Sequence, residues 1–332
     1  MVSNIVQEGL SYADVLIVPE YSNIVSRNEV DISVDFLGLR IKPIIAAPMD
    51  YVVGTQMIIS LYDNGYYGIF PRFGYDIRDA WSAFTNEVLF GIAIGAKNPE
   101  KAYEVLMEGP LPHSICIDVA HGDHSLVLDM IHFLKYKFKN TWIIAGNVAT
   151  AAGYRRLANA GADAIRVGIG AGSACTTRGT TGAGVPQLTA VLDCAEEKGF
   201  SGPSIIADGG IETSGDIVKA LAAGADVVML GKLLAGHDES PGLPININGT
   251  IMKAYRGQSL LGSNGARKAP EGIAGYVPAR GKVSDTLAQM EGWIKSGFSY
   301  VGARNIEELR EAQFIKISQA AQKESHIRIL EV

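Results

Sequence analysis

A glycine-rich segment at residues 168–178 combines the residue types that nucleophilic chemistry needs. Three alternating glycines and a serine precede Cys175, and threonines follow it. Glycine adopts positive φ angles, so such a loop can come close to a ligand and present backbone N–H groups to an anion. Neighbouring N–H groups or a cation would stabilise the thiolate of a cysteine placed there. We therefore predict that Cys175 is a nucleophile and that Thr177 relays a proton to or from the leaving group.

Composition narrows the class of protein. The chain has 332 residues, 47% of them hydrophobic, and a net charge of −6, so nucleic acid is not an expected partner. No apolar run is long enough to span a membrane, and the first residues lack the pattern of a signal peptide. Three cysteines without CxxC spacing argue against a disulfide framework or a structural zinc site. We expect a cytoplasmic protein.

The elements that must position the cysteine loop alternate between short apolar segments and helical patterns. Helices are predicted at 99–107, 125–136, 152–160 and 214–222, and glycines at 161 and 224 mark two helix ends. Eight such repeats predict a parallel (β/α)₈ TIM barrel rather than a doubly wound sheet, because no GxGxxG opens an early unit. The predicted strands are 43–47, 68–70, 89–94, 114–117, 142–145, 164–167, 204–207 and 226–230.

Polar residues follow the predicted strands, and the carboxyl ends of barrel strands form the active-site face. We expect these residues to meet there: Asp50, Arg72, Asp118, Asn147, the cysteine loop, Asp208 and Gly231. Any single carboxylate could instead cap a helix. His121 follows the fourth strand, and a hydrogen-bonded structural role is the simpler interpretation of it.

A phosphate site is predicted where the last two strands end. Gly210 precedes a helix start, Gly231 and Lys232 follow the eighth strand, and Ser173 adds a hydroxyl from the cysteine loop. Loops of this kind hold phosphate dianions through backbone N–H groups. Asp208 cannot bind phosphate, and we expect it to accept hydrogen bonds from a ribose diol.

A long insertion at about residues 237–282 follows the eighth strand. Insertions of this length are typically lids or binding loops, so we predict a mobile flap on one catalytic domain covering residues 1–332. The segment before residue 40 is expected to cross the barrel bottom or an interface.

The motifs together resemble the IMP dehydrogenase/GMP reductase family. The cysteine loop, the TGxGVPQ segment that follows it and the ADGGI segment after the seventh strand are all similar to family motifs. The resemblance covers nearly the whole chain. It implies a purine mononucleotide substrate, a nicotinamide dinucleotide and a covalent bond from Cys175 to C2 of the purine.

The resemblance also assigns roles by position. Ser173, Gly210 and Gly231 match phosphate-binding residues, and Asp208 matches the ribose-binding aspartate. Catalysis is assigned to Cys175, Thr177 and Glu271. The implied substrate-binding set adds Lys232, Tyr255, Arg256, Gly257, Gln258 and Gly272. The implied cofactor-binding set is Asp118, Ala120, Asn147 and Gly168. Backbone carbonyls of Gly168, Gly170 and Cys175 match those that hold a monovalent cation, K⁺, in many dehydrogenase members.

Two features favour the reductase side of the family. No regulatory modules interrupt the chain after the second strand, and no tyrosine follows Arg267 in the flap, where dehydrogenases have an Arg-Tyr pair that activates water. The resemblance then implies NADPH-dependent reduction of GMP to IMP and ammonia. NADH or NAD stays open as an alternative cofactor, and the resemblance implies a homotetramer. Against this, the segment 255–257 is more similar to dehydrogenases. Lys232 stands where the family has a small residue, a departure that concerns the phosphate pocket.

Three alternatives remain open from sequence. They are an IMP dehydrogenase without regulatory modules, an FMN-dependent barrel oxidoreductase, and a purine-nucleotide sensor without turnover.

Overall fold

The computed structural model describes residues 8–75, 78, 81, 88–257, 260–262, 265–266 and 269–325. Eight parallel strands form a closed barrel in which each strand pairs with its neighbours in chain order. The predicted (β/α)₈ fold is confirmed. The strands are β1 (Ile44–Ala46), β2 (Tyr67–Phe70), β3 (Gly91–Ile94), β4 (Ser114–Asp118), β5 (Trp142–Val148), β6 (Ala164–Val167), β7 (Ser204–Asp208) and β8 (Val227–Leu230).

Helices surround the strands, and local sequence sets several of their ends. Asn98 and Thr150 accept hydrogen bonds from backbone N–H groups as N-caps, and Thr213 forms a capping box with Asp216. Gly161 and Gly224 adopt φ values of 100° and 102° just after two helices, as predicted. The helices are α1 (Thr55–Asp63), α2 (Pro99–Leu106), α3 (Ser125–Lys137), α4 (Ala151–Asn159), α5 (Thr177–Thr181), α6 (Gln187–Lys198), α7 (Ser214–Ala222), α8 (Val283–Tyr300), α9 (Ile306–Leu309) and α10 (Gln319–Gln322).

The strands are buried on both faces, which explains why they are near-continuous apolar runs. One face packs against the helices, and the other fills the barrel interior with side chains such as Ile45, Ile69, Ile144 and Ile206. The interior is therefore a packed core that fixes the strand ends in place.

A β-hairpin (Val34–Phe36 with Leu39–Ile41) closes the bottom of the barrel. Phe36 is fully buried, and its ring meets that of Tyr67 at the start of β2, with 6.0 Å between centroids. Since Tyr67 begins its strand, the hairpin covers the amino ends of the strands, opposite the predicted active-site face. In a separate two-stranded sheet, the strand Val15–Ile17 pairs with Phe314–Lys316 and joins segments near the two ends of the described chain.

The insertion after β8 is more ordered than the polar loop that its sequence indicates. A three-stranded antiparallel sheet forms from Ile245–Ile247, Thr250–Arg256 and Ala274–Pro278, and a small hairpin pairs Leu261–Gly262 with Gly265–Ala266. Lys253, Tyr255 and Val277 lie on one face of this sheet and are buried. Buried positions alternate with more exposed ones along these strands, as expected for a sheet with one covered face. The composition of the segment did not indicate this pattern.

Among the described residues, no helix has the length and apolar character needed to cross a membrane.

Candidate active site

A cavity of about 230 Å³ lies at the carboxyl ends of the barrel strands. Its walls come from the ends of most strands and from the insertion, so residues far apart in the chain converge there. The lining includes Met49, Arg72, Asp118, Ala120, Asn147, Gly168, Gly170, Ser173, Cys175, Thr177, Asp208, Gly210, Gly231, Lys232, Tyr255 and Gly257. Most of the residues predicted from sequence thus share one cavity.

Cys175 and Thr177 in this cavity form a directional hydrogen-bond chain with Glu271, which lies behind them in the insertion. The Cys175 thiol donates to Thr177 Oγ1 over 3.1 Å, and the Thr177 hydroxyl donates to Glu271 Oε2 over 2.7 Å. Glu271 belongs to the insertion, 94 residues beyond Thr177. Because each donor points toward the carboxylate, the chain provides a path for a proton between sulfur and Glu271.

Backbone pairing holds the insertion against the cysteine loop. Thr176 N–H donates to Glu271 O over 3.0 Å, and Ile273 N–H donates to Ala174 O over 3.0 Å. Cys175 and Gly272 form an isolated antiparallel bridge between these two bonds. This backbone pairing fixes the position of Glu271 beside Thr177.

The loop itself needs glycine at its tightest point. Gly168 has a φ of 145°, and a Cβ there would lie 2.0 Å from the carbonyl oxygen of Asp208. Any larger residue would separate the ends of β6 and β7. The approach places the cysteine loop directly over the barrel.

At the predicted phosphate site, the groups that can donate hydrogen bonds are mainly side chains rather than backbone N–H groups. Gly210 N–H already donates to Ala171 O over 2.9 Å. The hydroxyls of Ser173 and Tyr255 lie 3.2 Å apart, and the Lys232 ammonium follows Gly231 at the cavity wall. Lys232 is exposed and has no ion-pair partner in the part of the chain that the structure describes. Two hydroxyls and one ammonium group can therefore receive an anion here.

Arg166, which sequence analysis did not single out, joins the two carboxylates of the site. Its Nη1 donates to Asp118 Oδ1 over 2.6 Å, and its Nη2 donates to Asp208 Oδ2 over 2.8 Å. Burial opposes ionisation of Asp118, but the guanidinium groups of Arg166 and Arg72 outweigh it and lower the pKa of that carboxyl. The signal was present in the sequence, because a charged residue interrupts the apolar strand β6.

Asn147 positions Asp208 and the cysteine loop together. Its Nδ2 donates to Asp208 Oδ2 over 2.7 Å and to Gly168 O over 2.8 Å. Asp208 Oδ1 has no protein donor among the described residues, so it can accept a hydrogen bond from a ligand hydroxyl. The Gly168 carbonyl, predicted to face a monovalent cation, thus already accepts one hydrogen bond.

Several predicted residues lie elsewhere. Arg256 lies outside the cavity lining, and its guanidinium pairs with Asp50, which ties the insertion to the end of β1. Gly272 contributes its backbone bridge to Cys175 rather than a cavity wall. His121 is exposed and lies outside this cavity. Gln258 lies outside the described residues.

The chain is similar to known proteins over most of its length. The chain matches the family model described as "IMP dehydrogenase / GMP reductase domain" over residues 9–328. A GMP reductase of Bacillus licheniformis is 40% identical over 92% of this chain and 94% of its own length. A GMP reductase of Levilactobacillus brevis is 38% identical over 93% and 95% of the two lengths.

Dehydrogenases are also similar, over a shorter stretch. An inosine-5'-monophosphate dehydrogenase of Aquifex aeolicus is 48% identical over 66% of this chain and 47% of its own length. The chain spans about half the length of the dehydrogenases that it matches.

Proposed function

Since the chain belongs to the IMP dehydrogenase/GMP reductase family, whose members are oxidoreductases acting on purine nucleotides, we propose that it is a GMP reductase. The reaction converts GMP, NADPH and two protons to IMP, NADP⁺ and ammonium. The hydrogen-bond chain from Cys175 through Thr177 to Glu271 is the observation that carries the proposal. The reductases matched over more than nine-tenths of both lengths add support.

The first half of the reaction uses this chain of donors. Transfer of the thiol proton through Thr177 to Glu271 leaves a thiolate, which attacks C2 of the purine. The same path then returns a proton to the departing amine, so the C2–N bond breaks and ammonia leaves. The product of this half is a purine joined to Cys175 through sulfur.

The second half replaces sulfur by hydrogen. A nicotinamide dinucleotide, when bound, supplies the hydride that adds to C2. The C2–S bond then breaks, and Cys175 regains the electron pair as thiolate. The residues present fit such a cofactor, because Asp118 and Ala120 line the cavity beside the loop and the low pKa of Asp118 keeps it an acceptor for ribose hydroxyls.

Substrate binding is proposed to follow the cavity walls. Ser173, Tyr255 and Lys232 would hold the phosphate, with Gly210 and Gly231 allowing its approach, and Asp208 Oδ1 would accept a ribose hydroxyl. Gly257, Gln258 and Gly272 are proposed near the base, and Arg256 is proposed to act through Asp50. Asn147 and Gly168 are proposed on the cofactor side, and K⁺ at the carbonyls of Gly168, Gly170 and Cys175 stays a prediction.

At the level of the whole chain, we propose one catalytic barrel domain over 1–332 with a flap at about 237–282, a homotetrameric assembly and a cytoplasmic location.

The test follows the absorbance of reduced nicotinamide in two assays with purified protein. Loss of signal with GMP and NADPH, together with release of ammonium, supports the reductase. A rising signal with IMP and NAD instead would establish a dehydrogenase, the second candidate, which the 48% identity to a dehydrogenase favours. Silence in both assays would leave a nucleotide sensor.

The covalent step has its own test. Cys175→Ala should abolish turnover while GMP still binds, because sulfur forms the bond to C2 but does not hold the phosphate or ribose. Cys194→Ala is the matched control, since Cys194 is buried in α6 away from the cavity. Normal turnover in Cys175→Ala would refute the covalent scheme.

A further inference from the structure

Arg178 follows Thr177 directly in α5, but it lies outside the lining of the candidate active-site cavity. Its side chain is half-buried and turns back toward the base of the cysteine loop. Nε donates to Ile169 O over 3.0 Å, and Nη2 donates to Val185 O. The guanidinium group therefore joins a carbonyl nine residues before Arg178 to a carbonyl seven residues after it.

These two carbonyls lie at the ends of the segment that carries the reactive side chains. Ile169 lies just beyond the end of β6, and Val185 lies just before the start of α6. Between them, the chain contains Ser173, Cys175 and Thr177. The guanidinium group therefore closes this segment into a ring at the point where both of its ends meet the barrel.

Two glycines make room for the arginine stem. A Cβ at Gly170 would lie 2.5 Å from Cγ of Arg178, and a Cβ at Gly184 would lie 2.8 Å from its Nε. The two glycines have φ values of 71° and 156°. Because a side chain at either position would displace the arginine, the backbone on both sides defines its path.

The charge of Arg178 is directed at backbone oxygens. No carboxylate lies within ion-pair distance of it in the part of the chain that the structure describes, and both hydrogen bonds go to carbonyl groups. A charged donor forms stronger hydrogen bonds than a neutral one, and the planar guanidinium group holds two acceptors in a fixed relative position. An arginine with these contacts orders the backbone rather than neutralising an anion.

We propose that Arg178 is a positioning residue for the proton relay and that it acts by holding Thr177 in place. The Thr177 hydroxyl bonds to Cys175 over 3.1 Å and to Glu271 over 2.7 Å, so a small displacement of α5 interrupts the path. α5 has only five residues, and so short a helix depends on attachments outside itself. The insertion attaches its first turn through Thr176 N–H, and Arg178 attaches the helix to the barrel. The inference rests on the proposed function, because it assumes that Thr177 relays the proton.

Arg178→Met keeps much of the stem and removes both donors. We expect kcat to fall by about 10- to 100-fold, the loss expected when a reacting group is displaced by about 1 Å, while the KM for GMP stays unchanged. Arg178→Lys should lose less, because an ammonium group can still reach one carbonyl. Arg27→Met is the matched control, since Arg27 is exposed and also donates to a backbone carbonyl, that of Gly292. Wild-type kcat in Arg178→Met would overturn the proposal.

A double-mutant cycle with Thr177→Val distinguishes positioning from a general structural role. If Arg178 acts through Thr177, the double variant Thr177→Val/Arg178→Met should lose no more kcat than Thr177→Val alone. Losses that multiply would show that the arginine acts independently of the relay and would overturn the proposal. Should Arg178→Met fail to fold, the same cycle with Arg178→Lys gives the answer.

Alkylation of Cys175 by iodoacetamide separates this proposal from the proposed function, because it needs no turnover. The thiolate is the reactive form, and the hydroxyl of Thr177 can donate a hydrogen bond to it. Arg178→Met should therefore slow alkylation of Cys175, measured by mass spectrometry, while Arg27→Met should not. Slower alkylation in a protein that turns over neither GMP nor IMP would support the positioning role while the reductase proposal fails. An unchanged alkylation rate in an active reductase would overturn the positioning role.

Discussion

In the proposed mechanism, proton transfer at the candidate site depends on one hydroxyl. Thr177 is buried, accepts from the Cys175 thiol and donates to Glu271, so both ends of the path pass through Oγ1. Glu271 is held by backbone pairing at residues 271–273, which positions its carboxylate beside Thr177. The geometry predicts that catalysis is more sensitive to these two side chains than substrate binding is.

Thr177→Val removes the hydroxyl but keeps the side-chain volume. We expect kcat to fall by about 10²- to 10⁴-fold, the usual contribution of a positioned proton donor, with little change in the KM for GMP. The kcat of Glu271→Gln should fall by a similar factor. Thr180→Val is the control, because within the described part of the chain its hydroxyl bonds only to the backbone carbonyls of Thr176 and Thr177. A fall in Thr180→Val equal to that in Thr177→Val would contradict the relay.

Arg166 supports the site by a different mechanism, the neutralisation of two carboxylates in a buried position. Arg166→Met would leave Asp118 paired with Arg72 alone and would remove the arginine that pairs with Asp208. We expect the free energy of unfolding to fall by about 3–5 kcal/mol, the usual cost of breaking a buried ion pair.

Denaturant titration measures that change, with Arg155→Met as control. Arg155 also pairs with a carboxylate, that of Glu197, but it is exposed, so solvent screens the pair and its loss should cost much less than the loss of Arg166. Equal losses in the two variants would show that burial of Arg166 has no energetic consequence. Arg166→Lys should bind GMP and NADPH more weakly than wild type, because a single ammonium group cannot contact both carboxylates with the same geometry.

Among the elements, the insertion sheet is attached to the barrel through a buried polar cluster. Lys253 Nζ donates to His237 O over 2.8 Å and to Ser240 O over 2.6 Å. His237 Nδ1 donates to Leu234 O over 3.2 Å, and its Nε2 accepts from the Thr286 hydroxyl in α8 over 2.8 Å. Every group in the cluster has a partner, so the sheet has a defined position above the strand ends.

This attachment should weaken in mild acid. Burial lowers the pKa of His237, so the folded protein keeps the neutral ring while the unfolded chain gains a proton below about pH 6.5. Stability from this group is therefore complete above that pH and is lost as the pH falls, by up to about 1.4 kcal/mol per pH unit. Arg280, Asp238 and Glu239 are charged neighbours of the ring, and the Lys253 ammonium contacts the backbone carbonyl of His237.

Thermal unfolding at several pH values measures the effect. The wild type should lose more stability between neutral pH and mild acid than His237→Gln does, because glutamine has no proton to gain. His132→Gln is the control, since His132 is exposed on α3. The same pH dependence in wild type and His237→Gln would contradict this assignment.

On the scale of the whole molecule, the barrel has a closed bottom and an open top. The hairpin before β1 fills the amino ends of the strands with Phe36, while the carboxyl ends remain accessible beneath the insertion. Ligands therefore approach from one side, and packing on the opposite side stabilises the barrel without contacting them.

Phe36→Ala should separate these two roles. Removal of a fully buried phenylalanine costs about 3–5 kcal/mol in unfolding free energy, while KM and kcat should change little because the site lies at the other end. Tyr21→Ala is the control, since that side chain is 89% exposed. Chemical denaturation and initial rates on the same samples provide both measurements, and a large loss of activity at unchanged stability would contradict the separation.

The sequence by itself determined the barrel, the family and the cysteine loop. Strand burial on both faces produces apolar runs, and helix ends such as Gly161 and Gly224 require glycine locally, so both leave a direct pattern in the chain. Cys175 and Thr177 are two residues apart, and their proximity needs no tertiary information. The residues proposed around them were grouped by their positions after strands, which a barrel brings to one rim.

Only the tertiary structure decided which distant side chains meet. Arg166 lies 48 residues from Asp118 and 42 from Asp208, and no local pattern specifies that it joins them. The insertion sheet likewise depends on pairing between strands that a hairpin separates in the chain. Such contacts result from how whole elements pack, because hydrogen bonds and ion pairs depend on distance in space rather than along the chain.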